Sequence, residues 1–439
     1  MKKHPIIGTL ALALTLAFTS GAANLSEPSQ EYLKFGGCYY AYPYPEKPLP
    51  KLTATPKGYE PFHMEHYGRH GSRWHIGDWV YRQPIDLLRP AERNGKLTER
   101  GKLLMKQLRK TEKQSRLRSG ELTQLGARQH RGIAQRMTRN FPEIFKDDAR
   151  VDARSTEVIR CILSMDNELQ ELKAYNPKLN ITSDASVATM YYMNFSDSIA
   201  TAMAKSKLAK KAVKEYMKEY PYDLSYINLI ISDPQFAADS INAKELLQSL
   251  YRIAANAQSL DEPTPVYDLV SEENLQKVWL KNNAEWFFRF GNTDITEGHG
   301  PMRERYLMRN VIESADTSIM RKDPSANMRF GHDVVVVPLA VLMDLDGLGK
   351  KSNDLKDVES FFRTYEITPM ASNIQMIFYR PKGKSYTADD VLVKVLLNEK
   401  EVTLPAKAVT GPYYRWTDLR KHFLDRIGNA SYPINDADY

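Results

Sequence analysis

Five consecutive residues, Arg69-His70-Gly71-Ser72-Arg73, set one imidazole between two guanidiniums at a glycine turn. An arginine carries a planar fork of donors that matches phosphoryl oxygens in pairs and stays charged at any working pH, so two of them can fix and neutralise a phosphate. A neutral histidine nitrogen beside them can attack the phosphorus. Gly71 leaves room for a backbone that approaches an anion closely, and Ser72 offers a hydroxyl or amide donor. Taken alone, the pentapeptide is equally compatible with a solvated turn. What sets it apart is a second arginine cluster, Arg154-Ser155-Thr156 with Arg160 six positions after Arg154, and a distant pair, His332-Asp333.

Each cluster falls where an element should begin or end. Phe62 to Tyr67 has a strand rhythm with Phe62, Met64 and His66 on one face, and it runs into the glycine loop. Reactive loops of open α/β sheets sit at the carboxyl ends of parallel strands. His63 and Glu65 are out of keeping with a strand buried on both faces. Thr123 caps an expected helix that carries Leu125, Ile133 and Met137 and reaches about Asn140. Another is expected from near Thr156, with Ile159, Ile162, Leu163, Leu169 and Leu172 as its apolar stripe. From about Ser183 to Phe290 the chain reads as a polar, helical inserted lobe, clearest over 241–255 and 272–288. Its aromatic run Tyr191-Tyr192-Met193 reads as packing rather than a cofactor box. A helix over 303–315 precedes a short strand, 328–330, which ends at Gly331-His332-Asp333. Val334 to Val337 is a strand by propensity but a helix by its cap, Asp333, and by Leu339, Leu342 and Met343, with Pro338 awkward in either. Strands are expected over 374–379 and 391–397. The proline- and tyrosine-rich stretch from Tyr39 to Pro56 reads as an extended arm over a surface, not as core.

A chain of 439 residues exceeds what one core usually supports, so two lobes are expected. With 42% hydrophobic and 26% charged residues it is of ordinary globular composition. Lys2 and Lys3, the apolar stretch Ile6 to Phe18 and the small residues Ser20 to Ala23 read as a secretory signal cut after Ala22 or Ala23. Residues 1–23 are therefore set aside, and a periplasmic or secreted location is expected. Without the two lysines the formal charge falls from +7 to +5, with acids and bases interspersed, which disfavours nucleic acid as a partner. No segment offers about 20 apolar residues in a row, so no membrane span is expected. Asn180, Asn194 and Asn429 begin glycosylation triplets that matter only on a eukaryotic secretory route. An oxidising compartment would permit the only cysteines, Cys38 and Cys161, to pair, but Cys161 sits at core spacing on its helix and reads as a buried free thiol. Oligomeric state is not legible.

Together the motifs resemble the histidine acid phosphatases, branch 2 of the histidine phosphatase superfamily. The resemblance rests on the Arg-His-Gly-x-Arg loop, Leu122-Thr123-Gln124-Leu125-Gly126 with Gln129 and His130, Arg154-Ser155-Thr156 with Arg160, and His332-Asp333, in that order. It covers roughly residues 58–170 and 300–380. It implies a phosphoglycerate-mutase-like mixed α/β sheet core over 24–180 and 300–439, helices on both faces, and a mostly helical lobe inserted over 181–299. It also implies roles. His70 resembles the nucleophile that becomes phosphohistidine, and Arg69, Arg73 and Arg160 resemble the phosphate clamp, with His332 donating to the same oxygens. Asp333 resembles the general acid for the leaving alcohol and the later base for water. Arg154 is expected to organise Arg160 or the loop rather than to touch phosphate.

That division of labour suits a small-molecule phosphate monoester, because phosphoryl transfer is mostly positioning and stabilisation of charge on the equatorial oxygens. It needs no metal and no cofactor. His63, His66, His70 and His75 crowd one segment, so a zinc site competes, but the intervening arginines would repel a cation and Gly68 and Gly71 break a helix. His66 is expected to support the loop and His75 to wall the substrate pocket, while His130, His299 and His422 carry no expected chemistry. A phosphate-binding protein without turnover is the alternative function. Arg-His-Gly-Ser-Arg resembles the inositol polyphosphate phosphatases and suggests a phytase-like enzyme. That branch typically carries His-Ala-Glu, however, whereas this chain has His332-Asp333, as acid phosphatases and other phytases do. Phosphoglycerate-mutase-like relatives share the Arg-His-Gly start but lack the large insertion and the signal.

Overall fold

The strand with the polar pattern, β1 (Tyr59–Arg69), is buried from Pro61 onward, and its His63 and Glu65 are held in one network. His63 Nε2 meets Glu65 Oε1 at 2.9 Å, Asn327 and Ser314 donate to the same oxygen, and Arg329 donates to Glu65 Oε2 at 2.6 Å. Burial alone would raise the Glu65 pKa, but Arg329 and His63 outweigh it and hold the carboxylate ionised. A fully paired network of this kind is what lets a central strand carry charge. The computed structural model describes residues 30–42, 49–262, 266 and 269–428. The expected signal segment lies outside them.

After β1 come α1 (Trp79–Arg93), α2 (Glu99–Ser115), α3 (Gln124–Asn140), β2 (Arg150–Ser155), α4 (Ile159–Tyr175) and β3 (Asn180–Ala185). A run of helices follows, including α5 (Lys207–Tyr216), α6 (Ala243–Ala257), α7 (Glu272–Phe290) and α8 (Arg305–Arg321). The chain then re-enters the sheet with β4 (Ser325–Gly331), α9 (Asp333–Leu342), β5 (Asn373–Pro381), β6 (Leu392–Leu397), the short β7 (Lys400–Glu401), β8 (Ala408–Thr410) and β9 (Tyr413–Arg415), and α10 (Trp416–Ile427). Strand order is β3-β2-β4-β1-β5-β6-β9-β8, with β7 on β6. The first four strands are parallel and the rest antiparallel, so the sheet is mixed.

Helices cover both faces. Ile133, Met137, Leu169 and Leu172 of α3 and α4 pack with Met64, Val151 and Phe330 on one side, while α7 to α10 pack with Phe62, Phe378 and Val393 on the other. A third apolar cluster, containing Leu88, Leu104, Leu108, Leu246 and Leu250, has no strand residue. It joins α1 and α2 to α6, so the helical layer draws on residues 79–115 as well as on the stretch after β3.

One boundary differs from the sequence reading and one open choice is decided, each for a local reason. Thr156 does not open α4: its amide extends the sheet ladder to Phe330 O at 3.0 Å, and the helix starts three residues later at Ile159. Val334 to Val337 is helical. Asp333 takes the first helical position and its Oδ1 accepts the Val334 amide at 2.8 Å, while Val335 to Leu342 are all buried, so packing overrides β propensity. Tyr42 is buried and anchors the arm to the core, while Pro50, Lys51, Thr53, Ala54 and Thr55 are exposed, as in an arm over a surface.

Candidate active site

The three clusters meet because β1, β4 and β2 are adjacent and parallel, in a register that sets Arg69 opposite Gly331 and Ser155 opposite Phe330. The ladder runs on past the strand ends, with the His70 amide donating to Gly331 O at 2.9 Å. His70 and His332 thus face each other with ring centroids 5.8 Å apart. His70 Nδ1 lies 2.9 Å from its neighbour's carbonyl, Gly71 O. A carbonyl can only accept, so Nδ1 holds the ring proton and Nε2 keeps its lone pair. Burial, then Arg69, Arg73, Arg160 and His332, push the His70 pKa well below the usual range, which keeps the ring neutral.

The loop is held by backbone contact. A Cβ on Gly71 would lie 2.5 Å from Gly126 O, and one on Gly126 would lie 2.3 Å from Ser72 O. Gly71 therefore serves loop-to-helix packing, a role the sequence reading did not assign. Of the two donors Ser72 offered, the amide is spent on Gln129 Oε1 at 2.8 Å, while the buried hydroxyl has no partner. The Gly71 amide donates to Ser164 Oγ, which in turn donates to Arg160 O, tying the loop to the helix that carries the third arginine.

Arg69 is fully buried and donates to the Cys38 and Thr368 carbonyls at 2.5 and 2.7 Å and to Asp333 Oδ2 at 2.7 Å. Arg73 donates to Trp74 O at 2.9 Å and lies 5.3 Å over the Tyr39 ring. In all three arginines, Arg69, Arg73 and Arg160, the buried Nε has no partner, and the Arg160 guanidinium makes no hydrogen bond among the described residues. Arg154 does not join them. It pairs with Asp152 and Asp184 at 3.1 and 3.0 Å, so it organises neither Arg160 nor the loop.

His332 Nε2 is 3.2 Å from Thr156 Oγ1, and burial lowers the ring's pKa to about 4. For Asp333, burial raises the pKa, but Arg69, Arg73, His332 and the Val334 amide prevail and hold it below the ordinary carboxylate value. His75 is buried against Tyr39 and its Nε2 donates to Arg252 O at 2.8 Å, while both nitrogens of His66 are buried without partners beside Phe330. Cys38 and Cys161 are both free. Burial pushes each thiol up to about 11, and Cys161 Sγ lies 3.8 Å from the His332 ring nitrogens. Among the described residues no three His, Cys, Asp or Glu side chains group as a metal site.

Several contributors carried no sequence signal. The Cys38 and Thr368 carbonyls are backbone atoms, and Tyr39 belongs to the arm. Arg289, near the end of α7, has no carboxylate partner among the described residues yet feels both Arg303 and Asp333. Its position beside Phe290 in a long polar helix made it indistinguishable from a solvated arginine.

The family model described as histidine phosphatase superfamily (branch 2) matches residues 68–398. Multiple inositol polyphosphate phosphatase 1 of Gallus gallus is 22% identical over 320 residues, which is 70% of this chain and 69% of that protein. Among solved structures, the Bifidobacterium longum multiple inositol polyphosphate phosphatase in complex with inositol hexasulfate superposes with a TM-score of 0.72 at 17% identity, covering 89% of this chain and 97% of that one. The phytase from D. castellii gives 0.64 at 12%, covering 95% and 90%. At these identities the structural likeness is one of fold.

Replacing Gly71 by Ala should move the loop by the displacement its Cβ demands, and a shift of about 1 Å at a reacting atom lowers turnover on the order of 10²-fold. The expected result is that loss of kcat together with a lowered urea midpoint. Wild-type kcat in a folded G71A protein would refute the packing account.

Proposed function

The chain belongs to branch 2 of the histidine phosphatase superfamily and is a phosphatase, and from that premise we propose that it hydrolyses phosphate monoesters through a phosphohistidine at residue 70. The observation that carries this reading is the neutral imidazole with a free Nε2 among three arginines that lack anionic partners sufficient to neutralise them. Nε2 attacks phosphorus in line with the leaving oxygen. Arg69, Arg73, Arg160 and His332 hold the equatorial oxygens, and Asp333 gives its proton to the departing alcohol. Water, deprotonated by the same carboxylate, then releases phosphate from Nε2. Splitting the hydrolysis this way replaces one difficult displacement by two easier ones.

Asp333 must be protonated for the first step, whereas Arg69 and Arg73 hold it ionised in the free enzyme. A bound phosphate dianion offsets those cations and raises its pKa. Activity on alkyl esters should therefore be highest at acidic pH and fall as pH rises through the Asp333 pKa of the complex.

Inositol phosphates are the substrate class we propose. The support is the arginine loop, the named relatives, and the cations beyond the first clamp. Arg289 and Arg252, the latter donating to Gln83 Oε1 at 2.8 Å, stand on α7 and α6, where non-scissile phosphates could meet them. The amino-terminal sequence supports export to a periplasm or exterior.

Three outcomes are expected. In a panel of an aryl phosphate, a sugar phosphate and inositol hexakisphosphate across about pH 3–8, H70A should lose at least about 10³-fold in kcat while still binding phosphate by calorimetry. D333N should lose about 10²–10⁴-fold on the alkyl esters and less on the aryl ester. Equal rates of the parent on every ester would end the inositol phosphate reading, and an active H70A would end the phosphohistidine. Arg289→Ala should raise KM for inositol hexakisphosphate about tenfold and leave the aryl ester unchanged, as loss of one charged contact would. Sequencing the exported protein should find Ala23 or Asn24 first, and an intact Met1 start would refute export by this signal.

A further inference from the structure

Away from the arginine site, α5 and the turn after it enclose a cavity of about 580 Å³ against α6 and α7. Its lining is mostly apolar and includes Ala209, Val213, Met217, Leu224 and Phe288, of which Met217 and Leu224 are partly exposed and the other three buried. The space exists at a seam. Ala209, Val213 and Phe288 belong to the cluster over the sheet, whereas Tyr222 and Leu224 pack on the separate helical cluster, and the small side chains of Ala204 and Ala209 leave the gap between them unfilled. The recess is open to solvent on one side, so an apolar group that enters it takes carbon surface out of water.

The mouth of that cavity is cationic. Lys210, Lys214, Lys218, Lys244 and Lys281 line it, against one acid, Glu285. Lys218 pairs with Glu215 and Lys281 with Glu285, both at 2.5 Å, while Lys210 and Lys214 make no ion pair among the described residues. Lysines on one face of an amphipathic helix are ordinarily a solvated surface. Here they surround the opening of an apolar cavity, and that pairing of carbon interior with ammonium rim is complementary to one kind of molecule.

We propose that this cavity binds a single-chain anionic amphiphile, a long-chain alkyl carboxylate or sulfate, with its tail along Val213, Met217 and Phe288 and its headgroup on Lys210 and Lys214. The tail covers the carbon of the lining, and the headgroup takes the unpaired ammonium groups without requiring burial of charge, because the rim is exposed. The site is separate from phosphate hydrolysis and does not rest on that reading.

The test is calorimetric titration of the full protein with octanoate, decanoate and dodecanoate below their micelle concentrations, with inorganic phosphate saturating the arginine site. One-to-one binding should tighten about fourfold per added methylene, the ratio expected for burying each one in apolar surroundings. A dodecyltrimethylammonium salt should bind at least tenfold more weakly. V213W, which fills the cavity, and the exposed double variant K210E/K214E should each weaken dodecanoate at least tenfold while aryl phosphate hydrolysis continues at the parent rate. That hydrolysis reports folding, and if V213W does not fold, the surface double variant decides. No saturable binding, equal affinity for the cationic chain, unchanged affinity in K210E/K214E, or association only with anionic vesicles would each overturn the proposal.

Discussion

Three guanidiniums share a single carboxylate at the end of the parallel strands, and the site depends on that imbalance. Arg69 and Arg73 are almost wholly buried, and Asp333 pairs with Arg69 alone. Burying cations without anions is costly, and the fold offsets it with neutral acceptors: the Cys38, Thr368 and Trp74 carbonyls and the face of Tyr39. Such partners fix a guanidinium without cancelling its charge. The field left over is available to a phosphate dianion, for which each cation at 4 Å contributes about 4 kcal/mol per unit charge at an effective dielectric near 20.

The same field sets the protonation of both reacting groups, in directions that conflict. It keeps His70 neutral and nucleophilic, and it keeps Asp333 ionised, which suits a base but not an acid. The conflict resolves only with an anion in place. A bound phosphate dianion weakens the field at Asp333 most directly because both compete for Arg69, so the carboxyl can take up a proton as the substrate seats. In the proposed reaction, once phosphate has moved to His70 the acid has lost its proton to the alcohol and is in the form that would activate water. Ground-state charge and reaction order are thus linked through Arg69, which holds Asp333 by one nitrogen while its Nε stays without a protein partner.

Much of this was legible in the chain because the reacting side chains are charged, sit at strand ends and leave a spacing pattern. Arg69, His70, Arg73, Arg160, His332 and Asp333 lie together as that pattern implied. What could not be read were contributions made by backbone. The carbonyls that hold Arg69 have no side-chain signature, and the amide of Ser72 was free on paper but is consumed by Gln129, a residue 57 positions away. Arg154 misled because strand alternation turns it to the face opposite Ser155, where Asp184 of the neighbouring strand meets it. The valines after Asp333 stayed open between strand and helix because propensity is local, while the burial between sheet and α7 that decides for helix is not. Polar β1 looked wrong for a central strand until its partners on β4 were known.

The His-Asp pair bears on specificity through helix geometry. Asp333 is the first residue of α9, and its Oδ1 is fastened to the next amide, so only Oδ2 faces Arg69 and the reacting centre. A His-Ala-Glu arrangement would move the carboxylate to position 334, about 100° further round the helix and one methylene longer. In this chain position 334 is a valine that packs against the core over the sheet, so of the two positions only 333 offers the carboxyl that the proposed reaction needs. The acid is then short and doubly held, and it can reach leaving oxygens in a narrow range of directions. On the proposed reading, selection among esters would fall instead to groups beyond the clamp, above all Arg289 on α7 and Arg252 on α6. The arginine clamp would bind any phosphate monoester, and the helical lobe would determine which esters are oriented for Asp333.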